Sequence, residues 1–211
     1  SVIMASKKVL NGVYLAMHSS IEDNEVSIHS GTRVRKNHTS RRDAFQSIGV
    51  DPIAIVNQDK VTVGEESIKN NNQFNPKIKF EENVSLLKFH PGFNSEIIDK
   101  IIELDAKGII LEGTGLGHVN SRCNKSIKKA IDSGMFVGMT SQCLQGRIKM
   151  TVYSAGRDLL NIGVIPLEDM LPETALVKLM WAYGNYENKE IKNIMLNNIA
   201  REYTERSILG R

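Results

Sequence analysis

The chain has little cysteine, little net charge and no long apolar run, and each shortage closes off a class of function. Its two cysteines, Cys123 and Cys143, offer no metal-ligand spacing, and idle thiols in a reducing compartment are the expectation. A net charge of +3 is too small to argue nucleic-acid binding by itself, so such a role would have to rest on local clusters. No stretch approaches the roughly 18 to 20 apolar residues that cross a bilayer. No signal-peptide pattern is visible either, so a cytoplasmic location with no membrane partner is expected. There is no P-loop Gly-Lys-Ser/Thr and no G-x-G-x-x-G, so the chain itself is expected to bind no cofactor.

What is present is an ordinary globular composition. With 211 residues, 41% hydrophobic and 24% charged, the chain can bury one full core and part of another. Residues 12–18 (GVYLAMH) form a short run of strand formers, 25–30 (EVSIHS) alternates, and 33–37 continues as a third strand. Residues 52–63 read as a hairpin turning at Asn57, Gln58 and Asp59. From Gly64 to Lys79 the pattern fails in a polar, Asn-rich stretch, the best boundary in the chain. The division is therefore 1–64, a linker over 65–80, and 81–211.

Beyond the linker, strands and helices alternate as in βαβ units, which predicts an α/β domain on a parallel sheet. Strands are expected at 84–89, 108–111 and 135–140. Asn94 should cap a helix through Leu104 with Ile97, Ile98, Ile101 and Ile102 inward, and a second helix should run from Ser121 to Ser133. Two more are expected over 172–183 and 189–206. The loop Gly113-Thr114-Gly115-Leu116-Gly117 lies at a strand's C-terminal end, where open α/β sheets place ligands, but its spacing favours a tight glycine turn. His118 could be a ligand or general acid, and as a lone histidine it reads first as structural. Asp169 and Glu173 flank a helix start, where acids suit the dipole.

The densest chemistry is in residues 33–42 (RVRKNHTSRR), which hold five of the 27 Lys and Arg and no acid. Arg33, Arg35, Arg41 and Arg42 could meet phosphates, or form a solvated, ion-paired face. Strand alternation puts Lys36 on the face of Val34, which is expected to point inward. An inward lysine needs a carboxylate partner or a lowered pKa, and both are useful in catalysis. Lys36 is the candidate catalytic residue.

The run 31–45 (GTRVRKNHTSRRDAF) resembles the equivalent segment of bacterial-type L-asparaginases, and its HTSRRDAF portion is most similar to one branch of that family, the D subunits of archaeal glutamyl-tRNA(Gln) amidotransferases. Further matches follow at 87–92 (LKFHPG), 108–118 (GIILEGTGLGH), 140–143 (TSQC), 153–157 (YSAGR) and 163–173 (GVIPLEDMLPE). The resemblance implies the end of an asparaginase-type N-terminal catalytic domain followed by a smaller, flavodoxin-like parallel-sheet domain. It also implies a Thr nucleophile in a Thr-Gly-Gly-Thr loop and a Gly-Thr-Asp segment. The chain contains neither Thr-Gly-Gly nor Thr-Asp, so it is expected to be part of a longer enzyme and inactive alone.

By position, Lys36 matches the lysine that, with an Asp and a second Thr, readies the nucleophile for amide hydrolysis. The resemblance further implies glutamine or asparagine as substrate and ammonia passed to an E subunit that amidates glutamyl-tRNA(Gln). ATP is expected on that partner, and a homodimer within a heterotetramer is implied. Arg41 and Arg42 would then contact partner, substrate carboxylate or tRNA. A stand-alone asparaginase and a noncatalytic docking module remain the alternative readings.

Overall fold

The computed structural model describes residues 1–7, 10–58, 60–64 and 75–207. Asp59 of the expected hairpin turn and residues 65–74 of the expected linker lie outside them. The chain divides into two compact units, Ser1–Asn75 and Pro76–Arg211.

In the first unit, helix α1 (Val2–Lys7) precedes four strands, β1 (Tyr14–His18), β2 (Glu25–Ser30), β5 (Ala54–Asn57) and β6 (Lys60–Val63), paired antiparallel in the order β1-β2-β5-β6. The expected 52–63 hairpin is the β5–β6 pair, and Gln58 enters its turn with φ 50°. Met4, Ile28, Ala54 and Val56 form the core on one face of this sheet. Because strand side chains alternate, Ser27 and His29 lie on the other face, and both are buried.

The expected third strand is a separate element. β3 (Val34–Lys36) pairs antiparallel with β4 (Phe45–Ser47) as a two-stranded ribbon outside the main sheet. The sequence gives no sign of β4, since Phe45-Gln46-Ser47 is too short to show a period.

The second unit is the expected α/β domain on a parallel sheet, with helices on both faces. Strands β7 (Val84–Lys88), β8 (Gly108–Gly113), β9 (Phe136–Ser141) and β10 (Ile165–Pro166) form a parallel sheet in sequence order. Helices α2 (Glu96–Glu103), α3 (Asn124–Asp132) and α4 (Ser154–Asn161) bury Ile98, Ile101, Ile127, Ala130 and Leu159 against Ile109, Leu111, Val137 and Met139. Helices α5 (Pro172–Asn185) and α6 (Asn188–Leu196) cover the opposite face, where Leu179, Ala182, Ile191 and Met195 meet Ile110 and Phe136. β8 is therefore buried along its whole length, as a central parallel strand must be.

Two expectations need correction. Ile97 is 43% exposed, because Ile98 and Ile101 are buried, Ile102 packs partly against the same core, and Ile97 lies about 90° around the helix from the middle of that stripe. The last helix stops at Leu196 instead of running to 206. Asn197 turns extended, and the tail to residue 207 is held by its own polar contacts. Asp169 serves that tail: its carboxylate accepts from the Thr204 N–H at 2.8 Å and from Oγ1 at 2.7 Å. Helix α4 and strand β10 are additions that periodicity does not predict.

Among the described residues, no helix is long and apolar enough to cross a membrane, and no cluster of His, Cys, Asp and Glu could hold a metal ion.

Candidate functional site

The ribbon β3–β4 carries the candidate lysine. In its ladder Val34 faces Ser47 and Lys36 faces Phe45, so these four side chains share one face. Lys36 and Val34 are therefore on one face, as alternation predicts, but Lys36 is exposed. It closes the ladder at the loop end, beside residues 37–42, which are exposed throughout. Its ammonium stands 5.8 Å from the centre of the Phe45 ring, near the limit of a cation–π contact.

The buried cation of this stretch is Arg33, 2% exposed. Its Nε and Nη2 donate to the Ile48 carbonyl at 3.1 and 2.8 Å, and the Ile48 N–H returns a bond to the Arg33 carbonyl at 2.8 Å. Arg33 thus closes the open end of the ribbon. At the other end the loop is ordered by His38, whose Nδ1 accepts from the N–H groups of Ser40 and Arg41.

Arg41 and Arg42 each have a carboxylate within the unit. Arg41 forms a two-pronged pair with Asp43, and Arg42 pairs with Asp23 from the β1–β2 turn. Arg41, Arg42 and Asp23 are exposed and Asp43 is half-buried, and the guanidinium beside each aspartate holds its carboxyl below the usual range. The ion-paired reading of the basic cluster describes these two residues.

In the second unit, polar groups collect at the C-terminal ends of β7, β8 and β9. Glu112 is buried and pairs with Lys88, its ladder partner on β7, at 3.0 Å. The Gln142 amide donates to the Glu112 carbonyl at 3.0 Å. No sequence signal singles out Lys88 or Glu112. Both are strand-end residues, and their pairing depends on a register that periodicity does not reveal.

The adjoining glycine loop is a packed turn. Gly117 takes φ 93°, and a Cβ there would press on Met139, Ile148 and Met150 at 3.1–3.2 Å. His118 is held by backbone bonds to Thr114, and its ring meets Tyr153 edge-on at 5.5 Å. Its Nε2 is buried without a hydrogen-bond partner among the described residues. Cys123 is buried, where desolvation raises its thiol pKa, and Cys143 is exposed; both are free.

Known proteins match both units. The family model for the glutaminase/asparaginase C-terminal domain covers residues 83–195, and that for the asparaginase N-terminal domain covers 1–69. The D subunit of the glutamyl-tRNA(Gln) amidotransferase of Metallosphaera sedula is 46% identical over 213 residues, covering 99% of this chain and 48% of its own length. Its counterpart in Pyrococcus furiosus is 48% identical over 196 residues, covering 91% and 45%. The chain spans about half the length of the curated relatives it matches.

Among solved structures, the thermostable L-asparaginase from Thermococcus kodakarensis superposes with a TM-score of 0.84 at 35% identity, covering 96% of this chain and 60% of its own. L-asparaginase I from Vibrio cholerae gives 0.74 at 28%, covering 92% and 58%. With two domain models matching in order and the same fold in L-asparaginases, the chain belongs to the glutaminase/asparaginase family.

Proposed function

We propose that this chain is part of an amidase that hydrolyses glutamine or asparagine and supplies the ammonia to a tRNA-dependent amidotransferase as its D subunit. The observation that carries this reading is 46% identity to an amidotransferase D subunit across 99% of the chain. In this reading a Thr contributed by another part of the enzyme attacks the side-chain amide, an acyl-enzyme forms, and ammonia leaves. Water then releases the acid. Lys36, on an exposed ribbon end, joins an Asp and a second Thr to orient and deprotonate that nucleophile.

The chain taken alone has no Thr-Gly-Gly or Thr-Asp and is inactive in this reading. It binds no cofactor; ATP is taken by the E subunit, which receives the ammonia and amidates glutamyl-tRNA(Gln). The D subunits pair as a homodimer within the assembly, in the cytoplasm. Arg41 and Arg42 are better placed as ion-paired ribbon residues than as ligands.

Ammonia release from glutamine and from asparagine tests this, for the chain as given and for one extended upstream through the Thr motifs. Activity confined to the extended form supports the reading. Activity of the extended form on asparagine with none on glutamine would favour a stand-alone asparaginase, which the fit to a thermostable L-asparaginase makes the second reading. No activity in either form, with or without the E subunit, would leave a docking module.

A further inference from the structure

The ribbon that carries Lys36 shares no ladder with the main sheet of its unit, so something other than strand pairing must set its position. The Arg33–Ile48 bonds close the ribbon on itself. A bond of a different kind reaches from the sheet: His29 Nδ1 on β2 lies 2.8 Å from Ser47 Oγ on β4. Ser47 belongs to the ribbon face that also bears Val34, Phe45 and Lys36. Lys36 is the diagonal neighbour of Ser47 on that face, one strand across and one two-residue step along, roughly 7–8 Å away.

His29 is a costly choice for its site. It is 3% exposed on the sheet face opposite the Ile28 core, and its Nε2 has no hydrogen-bond partner among the described residues. An aliphatic side chain would fill the place without a stranded ring nitrogen. The Nδ1–Ser47 bond is what a histidine supplies there and an aliphatic residue cannot. Burial favours the neutral imidazole, so near neutral pH the bond joins uncharged groups in a dry setting.

We propose that His29 is a positioning residue for amide hydrolysis: through Ser47 Oγ it fixes the ribbon face that presents Lys36. His29 touches no substrate and moves no proton in the reaction. The inference rests on the assignment of Lys36 to the nucleophile relay.

The test uses the full-length enzyme with His29→Ala, Ser47→Ala, the double substitution and His29→Asn, whose amide can meet the Ser47 hydroxyl. Loss of the tether should lower kcat about ten- to a hundredfold in each alanine variant, with KM changed less than about twofold. The double variant should be no worse than the poorer single one, since both remove the same bond. His29→Asn should recover most of the loss. Amide exchange at Asn37 and Ile48, both bonded within the ribbon, should quicken in the alanine variants.

Wild-type kcat in His29→Ala or Ser47→Ala would overturn the proposal, as would a double loss equal to the product of the single losses. Unchanged exchange would overturn the tether whatever Lys36 does. Full turnover in Lys36→Ala, with exchange still quickened by His29→Ala, would instead fault the assignment of Lys36. Ser47→Ala, a small change at a half-buried hydroxyl, keeps the test open should His29→Ala fail to fold.

Discussion

Lys178 of α5 and Glu202 of the tail form an ion pair at 3.0 Å with side chains only 4% and 5% exposed. The Lys178 ammonium also donates to the Asn197 carbonyl, and Glu202 accepts from the Ala200 N–H at 2.9 Å. Desolvation lowers the lysine pKa, against the opposing pull of Glu202. The pair fastens residues 197–207 over α5 and α6.

Removing one partner of such a pair leaves a buried charge uncompensated. Lys178→Met or Glu202→Ala should each destabilise the second unit by about 3–5 kcal/mol, whereas Lys178→Met with Glu202→Leu should cost far less. Urea unfolding of the three variants checks this. Equal losses in the single and double variants would contradict it.

Gly184 lets residues 77–81 lie against α5. A Cβ there would stand 2.5 Å from the Lys79 carbonyl oxygen and 2.7 Å from Phe80 N. Trp181 Nε1 donates to the Lys77 carbonyl at 3.0 Å, and Asn185 Nδ2 to that of Lys79 at 2.8 Å. Gly184→Ala gains helix propensity but forces backbone apart, so a net loss of about 1–3 kcal/mol is expected. Its signature is a change in the emission of Trp181, the sole tryptophan; unchanged emission and stability would refute the close approach.

His29 makes the first unit sensitive to acid. Burial lowers its pKa below the ordinary 6.5, so the unfolded chain takes up the proton first. Its contribution is intact above 6.5 and is lost as the pH falls below that value toward the folded pKa. Between about pH 7.5 and about pH 5.5 the wild type should therefore lose more stability than His29→Asn, read from urea midpoints. Parallel losses would place the acid sensitivity elsewhere.

The second unit is legible in the sequence because Val, Ile and Leu runs alternate with helical stretches stopped by residues such as Gly134. Helix α4 escapes notice because Gly156 sits in its first turn, and β10 is two residues long and ends in Pro166. In the first unit alternation places Lys36 beside Val34 correctly. Its exposure is out of reach, because sequence does not say that β3 leaves the sheet to pair with β4. The same gap hides the role of His29. The alternation of EVSIHS sets His29 with Glu25 and Ser27 on the face opposite Ile28, which reads as solvent-facing, and Ser47 is eighteen residues away and on no recognisable strand.

Lys36 is the residue on which the proposed function turns. Ammonia release by the full-length enzyme should fall at least about a hundredfold in Lys36→Ala, the scale of a general-base contribution, while the substituted ribbon end, being exposed, leaves folding intact. Near-normal turnover in Lys36→Ala would contradict it.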